Sequence, residues 1–586
     1  MLGERGPQRG LFDADHWYGD FVGRDSFYGF LASQRGVMFR DEDFATLYSA
    51  SKGRPSVPPS LLATALVLQT FARVSDEEAK QRADYDLRWK VALGVGVEER
   101  PFAKSTFQEF RAQLVLHEEQ GAIFQRSLET AKGQGYFRGK RELRVALDTT
   151  NILGRGAVKD TYNLLADGIE QVLRVLAQQA GEPLAAWAEA ADLVRYVNGE
   201  SLKGQAAINW DDQEQKRQFL QEIVADADRV LELVRQARAQ YEAGDAQDEA
   251  LAAGAGLLSR LLGQDIERRE DGAALRRGVA PDRMVSVHDP EMRHGRKSKA
   301  KRFDGHKAAL AVDTESQLIT AVVVLPGNAP DRDQALELVE ATAKATECPV
   351  AETMGDCAYG DGETRQAFAD AERPLIAKVP AVSNQGRFPK TAFTIDLEAE
   401  TCTCPAGETT ADLRRVATAT GDEGKGGTFQ FPAAVCAACP LRAECVRGKG
   451  GRTVQLHPQE ALLQAARALQ DSPAFAEYRG LRQAVEHRIA RLVQLGIRQA
   501  RYFGRPKTLF QLCMAAAVAN LTLLAYRAAQ STNDPDALHL LVLFVLIMAA
   551  GLTLWSHLAL VGQLSGKKSS AARNRPSGLG TMTRAA

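Results

Sequence analysis

Leu143-Arg-Val-Ala-Leu-Asp148-Thr-Thr150 is the stretch on which the fold turns. Leu143, Val145 and Leu147 recur with a period of two, so the run predicts a half-buried strand that ends in an aspartate and two threonines. Working outward, residues 1 to about 140 and about 160 to 245 carry helical periodicity instead. Further strands are predicted at Met284–His288, at His306–Asp313 and Leu318–Val324 as a hairpin, at Pro349–Asp356 and at Pro374–Val379. Helices are predicted from Asp331 to about Thr346, from Asp361, over roughly 476–500, and from Thr508 to Ala528. Strand, strand, strand, helix, strand, helix, strand, helix is an α/β order that suits a mixed sheet with helices on its faces.

The 586 residues give a prior of about three to four domains. The apolar fraction of 45% and charged fraction of 25% exclude wholesale disorder and a polytopic membrane protein. Lys plus Arg number 73 and Asp plus Glu 74, so nucleic-acid binding has to come from local basic clusters. Eight cysteines in a chain this long do not make a disulfide scaffold. The first 30 residues show no basic region followed by an apolar core, so a reducing cytoplasm is expected and clustered cysteines read as metal ligands.

In the N-terminal region, Val57-Pro-Pro-Ser-Leu-Leu reads as a helix start, Ser75-Asp-Glu-Glu78 as a capping box, and Lys104-Ser-Thr as a third helix start. Short helices with tight joints suit a helix-turn-helix-like DNA-binding module and equally any small bundle. Asp211 to Glu249 holds eleven acids against five bases, an acidic helix expected to face solvent.

Three carboxylates stand out. Asp148 and Asp356 end predicted strands, a place where an aspartate is often only a turn residue. Glu486 is the only acid between Arg479 and Lys507, among eight Lys or Arg residues. It flanks an apolar stripe of Leu481, Val485, Ile489 and Leu492, so it can face the sheet edge; its plain alternative is an i,i+4 pair with Arg482. Three carboxylates at one place need cations, and oxygen-only ligands suit Mg²⁺ or Mn²⁺. Two such ions about 3.5–4 Å apart serve phosphodiester chemistry.

Arg293 to Lys307 holds seven Lys or Arg residues, two histidines and one acid. It reads as a phosphate-contacting loop through Arg293, Arg296, Lys297, Lys301, Arg302 and Lys307, or as a solvated charge run. A second basic patch, Arg488 to Lys507, includes Tyr502 and Phe503, which suit base stacking or core packing. Cys402, Cys404, Cys436, Cys439 and Cys445 cluster. Cys404, Cys436, Cys439 and Cys445 are the favoured set for a structural Zn²⁺, with Cys402 a bystander able to exchange with Cys404. An iron–sulfur cluster or a metal-free loop fits the same spacing.

Several motifs together resemble the DDE transposases of bacterial insertion sequences, most closely the insertion-sequence eleven-eighty-two family with its InsH-type N-terminal domain. They are Ala146-Leu-Asp-Thr-Thr-Asn-Ile-Leu-Gly154, Asp160-Thr-Tyr-Asn-Leu164, Val287-His-Asp-Pro-Glu-Met-Arg-His-Gly295, Phe303-Asp-Gly-His-Lys307, Gly355-Asp-Cys-Ala-Tyr-Gly-Asp-Gly-Glu-Thr-Arg365 and Val485-Glu-His-Arg-Ile-Ala-Arg-Leu492. The resemblance implies an RNase H-like catalytic domain with Asp148, Asp356 and Glu486 as catalytic residues holding two Mg²⁺ or Mn²⁺ ions. It implies cleavage and strand transfer at terminal inverted repeats and in target double-stranded DNA, by a homodimer. Arg482 matches the arginine four residues before the glutamate. Tyr478 sits one place off the usual tyrosine, and Val493 replaces a usual lysine, for which Arg491 can substitute. The cysteines fall where the family often has them, in an insertion before the glutamate helix, which makes their metal structural.

The expected division is a helical DNA-binding domain over 1–140, a catalytic domain from 141–155 with 281–380 and 476–528, a helical insertion over 156–280, a cysteine-rich insertion over 381–475, and a tail over 529–586. That tail has no charged residue from Ala537 to Gly566. Its flanking charges argue against a simple membrane span, so an appendage is expected and no membrane partner. A nuclease that cuts without joining and a decayed DNA-binding repressor remain the competing readings.

Overall fold

In the computed structural model, residues 1–5, 13–49, 52–298, 300–381, 383–417 and 423–532 are described. The strand β1, Leu143–Leu153, is the centre of a six-stranded sheet with β2 (Arg293–Arg296), β3 (Arg302–Asp313), β4 (Ile319–Pro326), β5 (Val350–Met354) and β6 (Leu375–Ile376). β3 lies antiparallel to β1, with Asp148 opposite Leu310, while β5 runs parallel on the other side, with Ala146 opposite Met354. β6 continues in parallel beyond β5. β2 and β4 share the far edge of β3, end to end. The resulting order, β4-β3-β1-β5-β6, with mixed direction, fits an RNase H-like DDE domain.

Alternation explains the centre. Val145, Ala146, Leu147 and Ile152 of β1 are fully buried, because helices cover both faces of the sheet. Gly305 is the tightest joint: its φ is +150°, and a Cβ there would lie 2.2 Å from the Ile152 carbonyl oxygen. Only glycine lets β1, β2 and β3 meet there. The helix Arg505–Thr532 packs beneath β4. Its buried Asn520 accepts from Ile319 N at 2.9 Å and donates to Ile319 O at 2.8 Å, so the edge strand's backbone is satisfied by a side chain. By length and composition this helix could cross a membrane, but 83% of its apolar window is buried within the fold.

The N-terminal helices have no core of their own. Leu62, Leu66, Trp89, Phe107 and Leu128 belong to the same apolar cluster as Val145, Leu310 and Leu521. Ser75 caps the helix Asp76–Tyr85 by accepting from Glu78 N at 3.1 Å, as the capping box predicts. The helical insertion has a separate core built on Ile169, Leu173, Ile223, Val230 and Leu258. The cysteine-rich insertion has a third, built on Phe393, Cys402, Phe429 and Phe431 between small sheets.

Several sequence expectations are corrected. Met284–His288 is not a strand: the Gln264 side chain accepts from Met284 N at 2.9 Å and donates to Met284 O at 3.0 Å, which replaces a strand partner. The acidic stretch is two helices, Gln213–Arg238 and Ala246–Asp265, broken by a turn with Gly244 at φ +97°. The helix expected from Asp331 starts at Ala335, and the strand expected over Pro374–Val379 shrinks to two residues. The single helix over roughly 476–500 is two, Phe475–Leu481 and Gln483–Gln494, and Arg482 stands at the joint. The apolar run from Ala537 to Gly566 lies outside the described residues.

Candidate active site

The parallel register places Ala146 beside Met354; two residues on, Asp148 and Asp356 fall on the same face of neighbouring strands. Asp148 is mid-strand, and Asp356 follows the end of β5. The motif around Asp356 fixes its turn. The Asp356 side chain accepts from Ala358 N at 2.8 Å. Asp361 caps the next helix, Gly362–Asp370, by accepting from Thr364 N at 3.0 Å. Buried Arg365 donates from Nε to Gly360 O at 3.0 Å and from Nη2 to Ala377 O, tying the turn to the chain beyond β6.

The third carboxylate arrives through Arg482. Its Nη1 donates to Asp148 Oδ2 at 3.3 Å and its Nη2 to Glu486 Oε1. The i,i+4 pair expected as the plain alternative for Glu486 therefore exists, and the same guanidinium also joins Glu486 to Asp148. Asp356, Arg482 and Glu486 line a cleft of about 600 Å³ together with Lys378 and Arg479. Burial pushes the Asp148 carboxyl up to about 6; the charges of Asp356 and Asp331 add to this, while the Thr149 N–H and Arg482 oppose it. Tyr478 points elsewhere, its hydroxyl donating to Glu352 Oε1 at 3.0 Å.

The donors gathered here are carboxylate oxygens, which fit Mg²⁺ or Mn²⁺ by type. Among the described residues, no three His, Cys, Asp or Glu side chains are grouped closely enough to hold a metal ion. At the carboxylates, the Arg482 guanidinium supplies the positive charge between Asp148 and Glu486.

The first basic run divides in two. Arg296, Lys297, Lys301 and Arg302 are exposed at the tip of the β2–β3 hairpin, with no ion pair to an acid among the described residues. Arg293 and Lys307 are corrected as DNA contacts, because both are buried and held by internal partners. Arg293 pairs with Asp282 and donates to Pro290 O at 2.6 Å. Lys307 donates to Ala329 O at 2.6 Å and Asp331 Oδ1 at 2.7 Å. In the second patch, Arg488 and Arg491 are half-buried, and desolvation lowers both guanidinium pKa values. Phe503 is exposed beneath Arg155, whereas Tyr502 packs on the core under Arg111.

In the cysteine-rich insertion, Cys402 is fully buried and its thiol is pushed up to about 11, first by burial. Burial also raises the Cys445 thiol, and Cys436, Cys404 and Cys439 are near enough to raise it further. The expected set thus converges on Cys445, but the thiols do not close into a metal-holding group. Cys436 Sγ instead accepts from Arg452 N at 3.4 Å.

Sequence reasoning missed Lys378, Arg479, Asp331 and Tyr359 near the carboxylates. Tyr359 lies inside the motif around Asp356, Arg479 opens the basic run around Glu486, and Asp331 sits at a predicted helix start. In those places each resembles an ordinary turn or helix residue.

Two regions match families of transposase domains. Residues 403–525, which include Glu486, match the family described as a transposase DDE domain, and residues 20–113 match a transposase domain of the DUF772 type. Together the two matches support a DDE transposase of an insertion sequence. No curated protein and no solved structure matches the chain.

Proposed function

We propose that this chain is a cytoplasmic transposase of the insertion-sequence eleven-eighty-two family, which cuts DNA at the ends of its element and joins the freed ends to target DNA. The single observation that carries this reading is the junction at Arg482, which brings Glu486 to Asp148 beside Asp356. Asp148, Asp356 and Glu486 would hold two Mg²⁺ or Mn²⁺ ions, which when bound supply an activated attacking oxygen and a stabilised leaving oxygen. Arg482, released from the carboxylates, would turn its guanidinium to a phosphate of the bound strand. Lys378 and Arg479 line the cleft and add positive charge for the backbone. The β2–β3 hairpin tip, through Arg296, Lys297, Lys301 and Arg302, and the half-buried Arg488 and Arg491 extend the DNA-contacting surface. The helices matched as a transposase domain would read the terminal inverted repeats, and two copies would act together as a homodimer. In the first step a strand is hydrolysed to leave a 3′-OH, and that hydroxyl then attacks a second phosphodiester. A structural Zn²⁺ would draw Cys404, Cys436, Cys439 and Cys445 together in the insertion.

The test is a labelled duplex carrying the inverted repeat from the DNA that flanks the coding frame, incubated with the protein, a supercoiled plasmid and Mn²⁺. Label joined covalently to the plasmid supports transposition. Nicking without joining supports a nuclease, and binding without nicking supports a repressor.

A further inference from the structure

Behind the two aspartates lies a buried hydroxyl to which the chemistry above gives no role. Tyr359 is 1% exposed, and its hydroxyl has no hydrogen-bond partner among the described residues. Leaving such a group unsatisfied costs about 1–3 kcal/mol, so its surroundings bear on what it is for. The ring lies flat against Gly355: a Cβ at that position would meet Cβ, Cγ and Cδ2 of Tyr359 at 2.8 Å. On the other side, a Cβ at Gly360 would stand 1.7 Å from Lys378 O. The tyrosine is therefore wedged between two positions that only glycine can fill, one on each side of the turn that carries Asp356.

Asp331 reaches the same place from the loop that follows β4. That loop is pinned from two directions. Lys307 holds Ala329 O and Asp331 Oδ1, and Arg332 faces Asp361 at 3.5 Å. Asp361 caps the helix directly after the Tyr359 turn, so the Arg332 contact brings the Asp331 loop against it. Lys307 is buried, which makes its pair with Asp331 part of the interior rather than a surface ion pair. Asp331 Oδ2 has no partner among the described residues. Burial raises the Tyr359 hydroxyl well above the ordinary tyrosine range, and the charges of Asp148, Asp331 and Asp356 raise it further. It thus stays protonated as a donor, with three carboxylates around it.

We propose that Asp331 is a fourth carboxylate of the divalent-cation site, on its Asp148–Asp356 side, and that Tyr359 is a positioning residue whose hydroxyl orients these carboxylates. The plain alternative makes Asp331 only the counter-ion of Lys307. It leaves the Tyr359 hydroxyl and Asp331 Oδ2 unexplained, whereas a cation held by Asp148, Asp356 and Asp331 would use the free oxygen. The inference rests on Asp148 and Asp356 belonging to a cation site.

The test is Mn²⁺ binding to the full chain without DNA, followed by the electron paramagnetic resonance signal of free Mn²⁺. Asp331→Asn should weaken binding roughly ten- to hundredfold, and Tyr359→Phe by about tenfold, the range seen when groups supporting a metal site are removed. Because Asp331→Asn leaves Lys307 buried and unpaired, the paired change Lys307→Met with Asp331→Asn is measured beside it; it removes both charges and should bind Mn²⁺ as weakly. Wild-type affinity in that double variant, or in a folded Asp331→Asn, overturns the fourth carboxylate. Wild-type affinity in Tyr359→Phe overturns the positioning role. Asp148→Asn and Asp356→Asn separate the two levels. If they too bind Mn²⁺ normally, the cation-site reading itself fails; if they lose it while Asp331→Asn does not, only the present inference fails.

Discussion

Arg482 donates to Asp148 Oδ2 at 3.3 Å across a sequence separation of 334 residues. One end of that contact is the central strand, and the other is the joint between two helices at the far end of the fold. Since the same guanidinium also holds Glu486, Arg482 is the point at which distant carboxylates become one site.

The electrostatics of Asp148 give a pH signature. Its carboxyl is pushed up to about 6, mainly by burial, from an ordinary value of 3.8. Between these values the folded protein holds a proton that the unfolded chain releases, so unfolding free energy should fall as pH rises from about 4 to about 6. A divalent cation competes with that proton, so Mn²⁺ affinity should drop as pH is lowered through about 6. Denaturant melts of the metal-free protein and Mn²⁺ titrations across this range check both effects. Asp148→Asn should flatten the stability slope, and an unchanged slope would reject the burial account.

A second carboxylate behaves in the opposite sense. Asp76 accepts both arms of Arg111, at 2.8 and 2.7 Å, which together with Gln108 and Gln69 holds its carboxyl well below the usual range. Its contribution to stability is present above the unfolded value near 3.8 and is lost only as pH falls through the lower folded value. Asp76→Asn should therefore cost about 2 kcal/mol at neutral pH and shift acid unfolding to higher pH. Thermal melts at pH 7 and pH 3 measure this, and the effect should shrink at the lower pH.

The hairpin tip predicts a salt effect. Arg296→Ala with Lys297→Ala should weaken DNA binding and reduce the slope of log K against log salt by about 0.9 for each phosphate left without its cationic partner. The buried pair Arg293 and Lys307 should behave differently, with their substitutions lowering the melting temperature. An unchanged slope for the hairpin variant would remove the tip from the DNA-contacting surface.

The cysteine-rich insertion should carry zinc near one per chain by elemental analysis, and Cys436→Ser with Cys439→Ser should lose it. Cys402→Ser should retain the metal, since Cys402 is a fully buried packing thiol. Iron with a brown chromophore would replace the zinc assignment, and folded protein without metal would leave the thiols as packing groups.

The central strand and its hairpin neighbour were legible because period-two alternation needs no partner to be seen. The aspartates were legible as strand ends, and Glu486 as a lone acid in a basic run. Long-range pairing was not legible. Gln264 replaces a strand partner for Met284, and Asn520 satisfies Ile319 from an apolar helix; neither contact leaves a local signal. Charge runs also misled. Arg293 and Lys307 read like their exposed neighbours, because sequence carries the charge but not the side of the sheet or the buried acid that takes it. Asp331 was hidden for the same reason, its partner Lys307 lying on another strand.

The central claim is that Asp148, Asp356 and Glu486 act as one site on DNA. It is tested most directly by measuring Mn²⁺-dependent nicking and joining of the labelled repeat end by Asp148→Ala, Asp356→Ala, Glu486→Ala and a double variant. Each single change should reduce both products to background while repeat binding persists, and the double should be no worse than a single, because the ligands work as a unit. Near-normal cleavage by any one of the three variants would contradict the claim.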